Sequence, residues 1–187
     1  IGGSAKGLVV REIDALGGIM GKVADKTHLQ IKMLNSAKGP AVQSLRAQVD
    51  KKKYPRYMQE VVKNQENLTI LEDTVENLIV ENGECKGVYL EDNKEIYSKT
   101  VILTTGTYMR SRILIGDEAK DGGPNMEKHS RFLSTHLKED LGFDLMRLKT
   151  GTPARIKAST IKFEETRVEP GDDQTWHYSF DKGYDSI

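Results

Sequence analysis

Hydrophobic and polar positions change period along the chain, and each period predicts a different element. His28 to Leu34 alternates, with Leu29, Ile31 and Met33 on one side and Gln30 and Lys32 on the other, which predicts a half-buried strand. Leu68–Leu71 and Val75–Val80 are short apolar runs that predict strands. Asn82-Gly83 follows, a two-residue hairpin signal of type I′. Val88–Leu90 reads as the return strand and Glu95–Tyr97 as a third, giving an antiparallel meander. Val101-Ile-Leu-Thr-Thr-Gly-Thr107 is β-branched and uninterrupted, so it predicts a strand buried on both faces of a parallel sheet. It stops at Gly106, and ligands of open α/β sheets bind beyond the carboxyl ends of the strands. Thr104 to Thr107, with Thr105 and Gly106 at its centre, is therefore a candidate for ligand contact.

Helical spacing appears in three places. Leu8, Val9, Ile13 and Leu16 predict a helix over residues 6–16, closed by Gly17-Gly18. Residues 42–63 read as a helix with a basic face (Arg46, Lys51, Lys52, Lys53, Arg56, Lys63), and Pro55 marks a start or kink. Phe132, Leu133, His136, Leu137 and Leu141 predict a helix over residues 127–141, capped by Gly142. Residues 113–125 read as a loop. Phe143–Leu148 and Ile156–Phe163 have strand-like character. Trp176, Tyr178 and Phe180 alternate as an edge strand or a docking segment would.

Composition narrows the class. The 187 residues are 37% hydrophobic with mean hydropathy -0.54, compatible with a core, and 28 basic residues balance 28 acidic ones. Any nucleic-acid footprint is then local. Cys85 stands alone, which excludes an internal disulfide or a multi-cysteine metal site and fits a reducing compartment, so a cytoplasmic location is expected. No run approaches the ~20 apolar residues of a membrane span, and no signal peptide is visible. The chain opens at Ile1-Gly2-Gly3 without an initiator methionine and is expected to be an internal piece of a longer protein.

Candidate chemistry is sparse. Gly2-Gly3-Ser4 before a helix could offer main-chain N–H groups to an anion, and the turn Asn35–Pro40 could bring Lys38 and the Gly39 N–H to a ligand. His28, His129, His136 and His177 lack metal-ligand spacing, and nothing beside Cys85 would activate it as a nucleophile. No Ser-His-Asp set or Walker loop can be drawn. The residues alone support a nucleotide- or flavin-binding α/β fragment.

Three long motifs carry more. Ile1-Gly-Gly-Ser-Ala-Lys-Gly7 runs on to Glu12-Ile-Asp-Ala-Leu-Gly-Gly18; Leu34-Asn-Ser-Ala-Lys-Gly-Pro-Ala-Val42 is followed by Arg46-Ala-Gln48 and Asp50; Leu148-Lys-Thr-Gly-Thr-Pro-Ala-Arg-Ile156 comes third. In this order they closely resemble the family of tRNA uridine 5-carboxymethylaminomethyl-modification enzymes, MnmG or GidA, over most of the chain, weakening after about Pro170.

The resemblance implies an α/β fold. Residues 1–150 would be part of a glutathione-reductase-type, Rossmann-like FAD-binding domain with an antiparallel meander crossover, and residues 151–187 the start of an inserted α/β domain. It implies a homodimeric flavoenzyme that works with the GTPase MnmE on the wobble uridine of tRNA, off the membrane. Methylenetetrahydrofolate would supply the carbon added at C5 and NADH would reduce the flavin.

A family valine that contacts FAD corresponds to Val75 in Thr74-Val75-Glu76, and a family serine to Ser130 in His129-Ser130-Arg131, with Leu133-Ser134 in register. Thr105 and Gly106 would join them at the cofactor. The proline and isoleucine that flank the serine in the family are replaced here, and Gly123-Pro124 stands where the family often has Gly-Arg. The family's Gly-x-Gly-x-x-Gly loop and its two cysteines fall outside this sequence, so no catalytic residue is assigned. The isolated chain is expected to be inactive and to bind FAD weakly or not at all. The alternatives are a folate- and FAD-dependent tRNA uridine methyltransferase, an RNA-binding module acting through the basic face of residues 46–63, or an oxidoreductase with a small substrate.

Overall fold

A helix over Ser4–Ala15 (α1) comes first in the computed structural model, which describes residues 4–151 and 153–181. It ends as expected: Gly17 takes φ 88°, its N–H reaches Asp14 O at 2.9 Å, and the Gly18 N–H reaches Ile13 O at 2.8 Å. This double closure satisfies carbonyls that the helix end would orphan. Of the expected anion cradle Gly2-Gly3-Ser4, Gly2 and Gly3 lie outside the described residues and Ser4 is the first residue of α1.

The chain divides into two compact units, residues 1–70 with 150–187, and residues 71–149. In the first, α2 (Met20–Thr27) leads into β1 (His28–Leu34), which pairs antiparallel with β2 (Ser44–Val49) before α3 (Lys53–Lys63). Val10, Ala24, Ile31, Leu45 and Tyr178 form its core. The single helix expected over residues 42–63 is corrected here. Leu45, Ala47 and Val49 have period two and meet the core, while Arg46 and Gln48 are exposed. Asp50 then ends the strand and caps α3: its carboxylate accepts the N–H of Lys52 at 2.8 Å and of Lys53 at 3.0 Å. Those N–H groups, Lys53 first, hold its carboxyl below the ordinary value. Pro55 falls in the first turn, where a missing N–H breaks no helical bond.

The segment with Trp176, Tyr178 and Phe180 is not a strand. Tyr178 is buried in the core and its hydroxyl donates to Leu45 O. Asp25 accepts the N–H of Tyr178 (2.8 Å) and of Ser179 (2.9 Å), one on each oxygen, and Asp14 accepts that of Phe180 at 2.8 Å. The Arg11 guanidinium lies 4.5 Å from the Phe180 ring centre. Asparagine at position 25 would present one acceptor where two are used and turn an NH₂ toward an N–H. We expect Asp25→Asn to lower stability by about 1–3 kcal/mol. Amide exchange at 178–180 should quicken in the variant, and unchanged exchange there would refute the clamp.

In the second unit β3 (Val75–Glu81), β4 (Glu84–Leu90) and β5 (Glu95–Tyr97) form the expected antiparallel meander in that order. Asn82 and Gly83 turn it with φ 51° and 79°, as a type I′ turn needs. Leu78, Leu133 and Leu137 form its core, flanked by Val75, Cys85, Val88, Val101, Met109 and Leu141.

Several sequence expectations fail. Residues 101–104 make no ladder; Val101 joins the core, but Ile102 is 84% exposed. An apolar run becomes a strand only where a neighbour can take its main-chain groups, and among the described residues none pairs with it. Every sheet described is antiparallel, so no parallel sheet is present among these residues. Leu68–Leu71 is likewise exposed and unpaired by any strand. Residues 113–125 hold a hairpin, β6 (Arg112–Ile115) and β7 (Glu118–Asp121), turned at Gly116 with φ 58°. The helix expected from residue 127 starts only at Leu133 (α4, Leu133–Thr135) and widens into a π turn over His136–Asp140. Residues 143–148 have no regular structure, and 156–163 hold only short 3₁₀ turns. The mixed helix-and-sheet class stands.

Candidate functional site

Ser130 is the joint on which the candidate site turns. Its hydroxyl donates to Val75 O at 3.0 Å, across 55 residues of sequence. Its N–H donates to Tyr108 O at 3.0 Å and its carbonyl accepts the Arg110 N–H at 2.7 Å, so Met109 and Ser130 form a short parallel bridge. The segment that Ser130 grips begins in a turn: the Tyr108 N–H reaches Thr105 O at 3.2 Å, and Gly106 takes φ 57°. A Cβ at Gly106 would meet only Tyr108 Cδ2, at 3.8 Å, so glycine is favoured there by the backbone angle and not by space. Val75 and Ser130 are thus in direct contact, and Thr105 and Gly106 open the segment bonded to Ser130.

Tyr108 extends the cluster. Its ring lies over Gly123, where a Cβ would come within 2.7 Å of Tyr108 Cδ1. Its hydroxyl donates to Glu127 Oε2 at 2.8 Å, and that hydrogen bond raises the phenol above its usual value. A cavity of about 350 Å³ adjoins the cluster, lined in part by Thr74, Glu76, Glu91, His129, Arg131 and Phe132. Thr74 and Glu76 flank Val75 in sequence; His129 and Arg131 flank Ser130. Lys128 is paired with Glu91 at 3.1 Å. His129 Nδ1 is buried without a hydrogen-bond partner.

The donor set suits the sugar and base of a nucleotide: carboxylates that accept from hydroxyls, an aromatic wall, and an unsatisfied ring nitrogen. It lacks the usual pyrophosphate cradle: the sequence has no Gly-x-Gly-x-x-Gly, and the helix that starts beside the cavity, after Phe132, runs only over Leu133–Thr135 before the π turn. Among the described residues no cluster could hold a metal ion, and no helix is long and apolar enough to cross a membrane. Cys85 lies elsewhere in the unit, half-buried, with its Sγ 3.7 Å from Gly87 O. The sequence marked Val75 and Ser130 by resemblance and Thr105 and Gly106 by pattern. It gave no sign of Tyr108 or Glu127, and marked Gly123 only as a departure from the family pattern; their contacts join turns that periodicity does not connect.

A family model described as glucose inhibited division protein A matches residues 1–184. The chain belongs to the glucose inhibited division protein A family. Within it, the chain is 54% identical over 181 residues to a tRNA uridine 5-carboxymethylaminomethyl modification enzyme from Geobacillus thermodenitrificans, covering 97% of this chain. It is 52% identical to the Bacillus subtilis enzyme of the same name over the same share. The fold matches a crystal structure of Aquifex aeolicus GidA with a TM-score of 0.87 at 50% identity, over 95% of this chain and 30% of that one. The chain spans 29% of the length of the curated relatives named here. Membership in the glucose inhibited division protein A family supports an α/β fold of FAD-binding type for this chain.

Proposed function

We propose that this chain is part of a FAD-dependent enzyme that modifies tRNA. With the GTPase MnmE, the enzyme adds an aminomethyl or carboxymethylaminomethyl group to C5 of the wobble uridine, drawing carbon from methylenetetrahydrofolate and electrons from NADH. On this reading residues 1–150 belong to the FAD-binding domain and residues 151–187 begin an inserted one. The whole protein is a cytoplasmic homodimer. The observation that carries the reading is the 54% identity to an enzyme named for this modification. The contact between Val75 and Ser130 supports it from the structure.

FAD, when bound, supplies the redox chemistry. The chain's own contribution is to hold it. Ser130 fixes the start of β3 through the Val75 carbonyl, and with it the main chain that would border the cofactor. Glu76 and Glu91 are placed to accept hydrogen bonds from sugar hydroxyls. The turn at Gly106 sets the path of the segment that Ser130 grips.

Two measurements test the proposal. In the full-length protein Ser130→Ala should weaken FAD binding about fivefold to tenfold, the equivalent of one hydrogen bond. Flavin fluorescence titration would show it, and unchanged affinity would remove Ser130 from the site. In a strain lacking the full-length gene, mass spectrometry of tRNA nucleosides should show wobble uridine without its C5 side chain. An unaltered spectrum would refute the activity, and loss of a methyl group from another uridine would point to the methyltransferase.

A further inference from the structure

The outer face of the β1–β2 hairpin sets two cations directly against each other. Lys32 and Arg46 are cross-strand partners in the antiparallel register. Neighbouring Ile31, Met33, Leu45 and Ala47 meet the core, so alternation turns Lys32 and Arg46 to the other face. Like charges at opposed positions of a sheet repel. Glu169 approaches Lys32 only at 3.9 Å, with its own side chain 70% exposed, and among the described residues no carboxylate pairs with Arg46.

The hairpin is also held stiff up to its tip. Asn35 Nδ2 donates to Val42 O at 3.0 Å, and Gln43 Nε2 donates to Ser36 O at 3.3 Å and Lys38 O at 3.1 Å. Lys38 stays exposed on that tip, and beyond the far end of β2 the side chains of Lys51, Lys52 and Lys53 are exposed as well. A fixed ribbon with two opposed cations at its middle, met by one carboxylate at 3.9 Å, and further cations past both ends suits a polyanion whose charges repeat along a line.

We propose that the outer face of the β1–β2 hairpin binds the phosphate backbone of RNA, with Arg46 and Lys32 as the central contacts. The inference rests on the tRNA-modifying function proposed above and assigns a surface to its substrate. Arg46 offers a planar fork of donors that matches phosphate, and Lys32 adds a point charge beside it.

The charge reversal Arg46→Glu separates a binding role from a structural one. Opposite Lys32 it replaces repulsion with attraction, so the melting temperature of the full-length protein should hold or rise. Affinity for unmodified tRNA, read by fluorescence anisotropy, should nevertheless fall about tenfold or more. The paired neutral variant Lys32→Gln with Arg46→Gln should lower the slope of log affinity against log salt by about one per charge removed. Wild-type tRNA affinity and slope in both variants would overturn the inference while leaving the proposed function standing. A wild-type full-length protein that binds no tRNA would overturn both.

Discussion

Alanine at position 87 is expected to detach β5 from the meander. Gly87 sits in the middle strand, opposite Ile79 on one side and Tyr97 on the other. A Cβ there would lie 2.0 Å from Ile96 O and 2.9 Å from both Ile96 C and Tyr97 Cα. All three atoms are main chain, so no side chain can swing aside to make room. The β4–β5 ladder must open, and the bond from the Ser98 N–H to Lys86 O goes with it. Overpacking in cores costs about 1–3 kcal/mol where side chains can shift. With backbone alone in the way, Gly87→Ala should cost more than about 3 kcal/mol. Denaturant unfolding would measure it, and a midpoint equal to wild type would show that the strands are not so close. Because β5 leads towards the Thr105–Gly106 turn, loosening it should also loosen the candidate flavin site.

The second large effect is expected at Gly7. It lies where α1 crosses β2 so closely that a Cβ would come within 2.3 Å of Ser44 Oγ and 2.7 Å of Leu45 O. The hydroxyl can turn away; the carbonyl cannot. That carbonyl also accepts the hydroxyl of the buried Tyr178. Gly7→Ala must therefore lift α1 or displace the Leu45 carbonyl from Tyr178, and either disturbs the contacts around Val10 and Leu45. We expect a loss of about 2–4 kcal/mol, overpacking together with a broken buried hydrogen bond. Thermal unfolding followed by circular dichroism would test it. A variant that melts with wild type, its Tyr178 fluorescence unaltered, would contradict the close crossing.

What the sequence disclosed was local. β1 was legible because its alternation lies within seven residues, although the register shift between His28 and Gln30 leaves Leu29 exposed while Ile31 and Met33 meet the core, and the Asn82-Gly83 turn because its chemistry is confined to the turn itself. β2 was hidden because Arg46 and Gln48 on its open face continue the basic composition of α3, which reads as one helix until Asp50 is recognised as a cap. Val101 to Thr104 misled for the opposite reason: it has the composition of a buried strand, and composition does not supply the neighbour a strand needs. The same limit applies to the site. Val75 and Ser130 were placed by resemblance to a family, and Gly106 by a strand that the structure does not contain. The bond between Val75 and Ser130 spans the whole meander, and the seat of Tyr108 on Gly123 depends on where two turns meet in space. Neither has a periodic signature.

The division into units has a consequence for the order in which the chain can fold during synthesis. Residues 71–149 form one unbroken stretch, whereas the unit around α1 needs residues from both ends of the described chain. Its carboxylates Asp14 and Asp25 wait for the main chain of Tyr178, Ser179 and Phe180, over 150 residues later. At a ribosomal rate of about 5–20 residues per second, that interval is roughly 8–30 seconds. Once residue 97 has been made, well before Tyr178, the meander can close, while Val10, Ile31 and Leu45 still lack the tyrosine that completes their core. A nascent chain stalled between the two units would then carry one finished module and one exposed apolar seam, the kind of surface that chaperones bind.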